Sequence, residues 1–141
     1  MIAATLLALA TIAAPEAGQG VAADRDHVYA VDNNAIGKYD KGTGRRVAAW
    51  QGDPKLFPHL NSCAVVKREL VCAASNYPAV PMASTVEVFD TDGLKHVRSV
   101  SLGRMNRSLA AIRWHAGSWW GGFAIWLRAC GAPSTTGFAG G

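Results

Sequence analysis

Cys63 and Cys72 flank a short segment whose centre is the polar pair Lys67-Arg68. If that pair is a two-residue hairpin turn, counting outward sets Val66 against Glu69 and Cys63 against Cys72. Ladder pairs alternate, so Cys63/Cys72 becomes a non-hydrogen-bonded pair with Cα atoms about 4.5 Å apart. That separation lies at the lower end of what a disulfide tolerates. The expected chemistry is a cross-strand disulfide in an oxidising compartment. The alternative is a pair of reduced core cysteines, which behave as small hydrophobes. Cys130 is left over.

The other reactive side chains do not assemble by spacing. His27, His59, His96 and His115 lie far apart, and no two have the i, i+4 separation of a helical metal site. Asp90-Thr91-Asp92-Gly93 has its glycine at the fourth place, not the sixth, and no closing glutamate, so it is a turn and not a calcium loop. Ser62, Ser75 and Ser84 lack a Gly-x-Ser-x-Gly elbow, and no phosphate-binding glycine loop is present. Asn106-Arg107-Ser108 matches a short glycosylation sequon. Trp50, Trp114, Trp119 and Trp120 read as packing aromatics in strands. No catalytic, cofactor-binding or metal-binding residue is assigned on this basis.

The elements that carry these residues are short and alternating. Val28–Val31, Ile36–Asp40, Arg46–Trp50, Ala64–Val66, Leu70–Ala73, Val86–Asp90, His96–Leu102, Leu109–Trp114 and Trp119–Ala124 are separated by Asp, Asn, Gly and Pro-rich turns. This pattern predicts an all-β, antiparallel fold. An internal repeat supports it: Ile36-Gly37-Lys38-Tyr39-Asp40 and Val86-Glu87-Val88-Phe89-Asp90 correspond at an offset of 50 residues. In both copies a turn comes after the Asp, and a basic residue and Val open the next strand, Arg46-Val47 and His96-Val97. A period near 50 with alternating apolar positions fits propeller blades of several strands. The Cys63–Ser75 hairpin is echoed more loosely by Leu109–Ala124.

At these residues the chain resembles the YVTN-type β-propeller repeat family. Val28-Tyr29-Ala30-Val31-Asp32-Asn33 and Leu70-Val71-Cys72-Ala73-Ala74-Ser75-Asn76 resemble that family's aromatic-Val-Ala-Asn strand end. Val86–Asp90 with Thr91-Asp92-Gly93 and Val97 resembles the family's next strand, its turn and its basic-Val strand. The departures are Gly37 inside a strand and the Gly121-Gly122 pair. The resemblance covers about 24–124 and implies antiparallel blades of a WD40-like kind, roughly two of them. A partial propeller leaves one blade face bare at either end, and bare faces and edges favour self-association.

The ends differ from this middle. Ile2–Ala14 is apolar but too short to span a bilayer, and Val21-Ala22-Ala23 offers a small-x-small cleavage site before Asp24. Residues 1–23 are therefore read as a helical signal peptide, with export to the bacterial periplasm or outside the cell and no stable membrane span after cleavage. Residues 125–141 abandon the alternation and read as an irregular tail, either frameshifted in origin or an ordinary flexible terminus.

The chain has 141 residues, 50% of them hydrophobic and 17% charged, with a formal charge of +4. That is apolar enough for a core and against global disorder. Its basic residues occur in scattered pairs at turns (Arg45-Arg46, Lys67-Arg68, Lys95 with Arg98, Arg104 with Arg107), which is not the single stripe of a nucleic-acid binder. The resemblance implies a ligand- or protein-binding scaffold with no cofactor and no catalytic activity of its own. The alternative is a fragment of a propeller enzyme, a lactonase-like hydrolase or a quinoprotein dehydrogenase.

Overall fold

A computed structural model describes residues 11–105 and 107–125. These residues form ten strands and no helix. β1 (Gly20–Ala23), β2 (His27–Asp32), β3 (Ala35–Asp40) and β4 (Arg46–Gln51) form the first sheet. β5 (His59–Val66), β6 (Glu69–Ser75), β7 (Met82–Asp90) and β8 (His96–Met105) form the second. β9 (Ser108–His115) and β10 (Ser118–Ala124) make a separate hairpin. Every neighbouring pair is antiparallel and consecutive in sequence, so each four-stranded sheet is a simple meander. The fold is all-β and antiparallel.

The two sheets repeat each other in detail. The backbone N–H of Asp40 donates to Arg45 O at 3.0 Å, and that of Asp90 to Lys95 O at 2.9 Å. Asp40 Oδ1 accepts the Thr43 amide at 2.8 Å, and Asp90 Oδ1 accepts the Gly93 amide at 2.7 Å. Both turns then need one left-handed residue, Gly44 (φ 70°) in the first and Leu94 (φ 52°) in the second. A non-glycine residue there is uncommon; Leu94 offsets the strain by burying its side chain in the core. A bulge falls between Lys38 and Tyr39 and again between Val88 and Phe89. The 50-residue offset therefore persists through turn, backbone sign and ladder fault.

Alternation decides which side chains meet. Val31 and Ile36 of the first sheet, and Leu60, Leu70, Cys72 and Phe89 of the second, share one buried cluster. Trp50 closes it edge-on, 4.7 Å from the Phe89 ring and 4.9 Å from Phe57. Lys38 crosses the same interface and donates through Nζ to Thr91 O at 2.7 Å, while only 8% exposed. Strands β1, β5 and β9 pack side by side in succession. The β5–β6 register is the one counted from the Lys67-Arg68 turn, with Val66 opposite Glu69 and Cys63 opposite Cys72. Lys67 takes the left-handed conformation (φ 57°) that such a tight turn demands.

The structure differs from the sequence reading at the N-terminal boundary. Residues 20–23, expected to precede a cleavage point, are strand β1, paired with Val28–Val31, and Ala22 is buried. Alternation in Gly-Val-Ala-Ala supplies a fourth strand that the first sheet otherwise lacks. The expected signal helix falls for residues 1–10 outside the described residues, as do Asn106, Cys130 and the tail from residue 126 onward.

Candidate functional site

One end of the two sheets gathers the longer connections. The β2–β3 turn at Asn33-Asn34, the link from β4 to β5 and the Asn76–Pro81 loop meet around the first residue of β5, His59. The link is tied down by Asp53, whose carbonyl accepts the Leu56 and Phe57 amides at 2.9 and 2.8 Å. Asn76 holds the other loop closed: its backbone N–H donates to Ala83 O, and its side chain donates to Pro81 O (3.1 Å) and accepts the Ala83 amide (2.7 Å). His59 Nδ1 lies 2.6 Å from Asn33 Oδ1, and its ring stands 5.2 Å from that of Tyr77. Burial pushes the His59 imidazole below its ordinary pKa, against the pull of Asp32, so the neutral ring donates from Nδ1 to Asn33.

Beneath these loops lies a cavity of about 170 Å³ lined by Lys55, Phe57, His59, Ser75, Asn76, Thr85 and Glu87, among others. Its most unusual residue is Glu87, a carboxylate only 4% exposed. A buried carboxylate is tolerated when fully hydrogen-bonded. Glu87 Oε2 has His96 Nε2 at 2.8 Å and accepts the Ser99 hydroxyl at 2.5 Å. The ring of His96 is wedged between Phe57 and Phe89, at 5.0 and 5.2 Å.

Serine, histidine and carboxylate together invite comparison with a catalytic triad, and the geometry rejects it. A relay needs the carboxylate on one ring nitrogen and the serine on the other. Here both partners face Nε2, since Ser99 Oγ is 3.4 Å from that same atom. Ser99 also points its proton at Glu87. The cluster holds a buried carboxyl group and is not arranged to activate a nucleophile.

The four histidines are dispersed. His59 lines the cavity, and His96 supports Glu87. His27 lies at the far end of β2 beside Asp24, 3.4 Å away, and His115 sits on the exposed β9–β10 hairpin near Arg113 and Trp120. Among the described residues, no group of three His, Cys, Asp or Glu is placed to hold a metal ion. Cys63 and Cys72 stand as a disulfide with Cα atoms 4.0 Å apart, inside the inter-sheet cluster. Ser75 accepts the Ser108 hydroxyl at 2.7 Å and Ser84 the Leu109 amide at 3.0 Å, while Ser62 accepts the Ile112 amide at 2.9 Å. All three serines tie the second sheet to β9.

Two features depart from expectation. Trp50 packs as read, but Trp114, Trp119 and Trp120 are 40%, 41% and 57% exposed. Glu87 was not singled out by sequence. Its signal was parity: it lies two residues before the buried Phe89 and so shares the inward face. No protein-family model matches this chain, and no curated protein matches it in sequence.

Proposed function

We propose that the chain is part of an exported β-propeller of the YVTN type that works as a binding scaffold, its loop end receiving one side chain of a protein partner. The observation that carries this is the 50-residue recurrence of turn bond, left-handed residue and bulge in two stacked four-stranded sheets, the economy expected of blades. The cavity size favours binding of a side chain: about 170 Å³ is below the roughly 300–1,000 Å³ typical of small-molecule sites. Rigid strands carrying a loop cluster are the usual scaffold for recognition. Export is supported by the Cys63–Cys72 disulfide, which suits an oxidising compartment. Self-association is supported by the groove of about 280 Å³ between the second sheet and the β9–β10 hairpin, where Val100 and Leu102 remain exposed. Sedimentation that stays monomeric at millimolar protein would end that part of the reading.

The test is selection of peptides from a random library against the folded chain, with the bound peptides mapped by amide shift changes. The reading expects shifts over 55–59 and at Ser75 and Asn76, and loss of binding in Thr85→Arg, which fills the cavity. Peptides that map elsewhere, or that bind Thr85→Arg undiminished, would refute it.

A further inference from the structure

The first sheet has a glycine where the second has its buried carboxylate. Gly37 corresponds to Glu87, Tyr39 to Phe89 and Arg46 to His96 at the 50-residue offset. In the second sheet, Glu87 is held by His96. At the matching place in the first sheet a carboxylate is also present, but it comes from outside the repeat. Glu16 accepts Arg46 Nη1–H at 2.6 Å and the Tyr39 hydroxyl at 2.5 Å. Its side chain is 11% exposed. Burial raises its pKa, but the bonds from Tyr39 and Arg46 outweigh that and leave it below the usual carboxylate range.

Gly37 is what lets Glu16 in. A Cβ at Gly37 would lie 2.7 Å from Glu16 Oε2 and 2.6 Å from the Tyr39 ring. The surrounding segment is fixed by its backbone as well: Ala17 N–H donates to Ala14 O (3.1 Å), and Gln19 N–H to Val31 O (2.8 Å). A Cβ at Gly18 would stand 2.8 Å from Asp32 Oδ1, so this approach is also close. All of this lies on the face of the first sheet turned away from the second, the face occupied in the next repeat by Trp50 and Phe57 of its neighbour.

We infer that residues 14–19 form a strap that caps the outer face of the first sheet, with Glu16 standing in for the carboxylate absent at Gly37, and that processing of the exported chain falls before Ala14 and not before Asp24. The strap covers the β2–β3 part of that face, and β1 continues from it without a break. Cutting before Asp24 would remove Glu16, β1 and the packing of β1 on β5 together. The position of processing rests on the export proposed above; the cap does not.

Two measurements on the full chain separate these. Thermal unfolding is compared for the parent, Glu16→Ala, Glu16→Gln, Arg46→Ala and the Glu16→Ala/Arg46→Ala pair. The expected result is a midpoint lowered by about 4 °C or more in Glu16→Ala, with a smaller loss in Glu16→Gln, and little further loss on adding Arg46→Ala. Unchanged midpoints, or fully additive losses, would overturn the cap. The N-terminus of the chain recovered from the periplasm of an expressing bacterium is then read by mass. A start at or before Ala14 supports the inference, and a folded product that starts anywhere after it, Asp24 included, overturns it. An intact chain retained in the cytoplasm would refute export and the processing point with it, while the melting series still judges the strap.

Discussion

Replacing Asp24 with Asn should remove about 2 kcal/mol of stability at neutral pH and almost none at pH 2. Asp24 closes the β1–β2 turn: Oδ1 accepts the Asp26 and His27 amides at 2.8 and 2.6 Å, and Oδ2 accepts the Tyr29 hydroxyl at 2.7 Å. Burial alone would raise its pKa, but these three bonds and the nearby His27 lower it from 3.8 to about 2. Its side chain is 25% exposed, so solvent screening is modest. At about 1.36 kcal/mol per unit, a shift of nearly two units corresponds to about 2 kcal/mol favouring the folded ionised state. The folded pKa lies below the unfolded one. The contribution is therefore complete above about pH 4 to 5 and is lost as pH falls through 2. Urea unfolding of the parent and Asp24→Asn at steps from pH 7 to pH 2 measures the difference directly. Tyr29→Phe provides the control, since without the hydroxyl donor the cost of Asp24→Asn at pH 7 should shrink. A difference that does not change with pH, or one below about 0.5 kcal/mol throughout, would refute the assignment of a strongly bonded carboxylate.

The remaining predictions concern the interface and the sheet faces. Glu87→Ala should cost about 1–2 kcal/mol by taking the acceptor from the half-buried His96 and the exposed Ser99, and Glu87→Gln less; chemical denaturation checks both. Lys38→Met should cost about 1–3 kcal/mol, since Thr91 O loses its donor, and hydrogen exchange should report faster opening of the 91–95 turn. Reduction of Cys63–Cys72 should lower stability by about 2–3 kcal/mol through the freed chain entropy of a short loop, read as a melting shift with reductant. His59, held below its ordinary value of 6.5 by burial, contributes stability that is complete above that pH and is lost as pH falls from there through the lower folded value. Acidification from about pH 7.5 to 5.5 should therefore loosen the β5 end, seen as broadened amide signals at Asn33 and His59.

Much of the architecture was legible because it is written in local terms. Asp at a strand end with Thr, Gly and a basic residue after it specifies a turn through short-range bonds, and both turns of that type formed. The Cys63/Cys72 register came from a two-residue turn and a period of two. The β9–β10 hairpin also formed despite its glycine pair, which the sheet absorbs as a bulge between Gly122 and Phe123. The candidate site was far less legible. Its cavity joins Lys55 of the link, His59 of β5, Ser75 of β6 and Glu87 of β7, and no spacing rule connects these positions. The place of Gly20–Ala23 was hidden for a similar reason: the segment reads as a small-residue cleavage site and also as a strand. Only the free edge of β2 brings out the strand.

By itself, the sequence determined the alternation, the turns and the 50-residue period, and through them the strands, their antiparallel order and the cysteine register. These are nearest-neighbour properties, set by steric limits on φ and ψ and by which side chains share a face. The tertiary structure alone decided that a glycine in β3 makes room for Glu16, that Glu87 is buried against His96, and that Lys38 reaches across to Thr91. Those contacts depend on how sheets and strap stack on one another, and their energies come from desolvation and pairing between residues well separated in the chain.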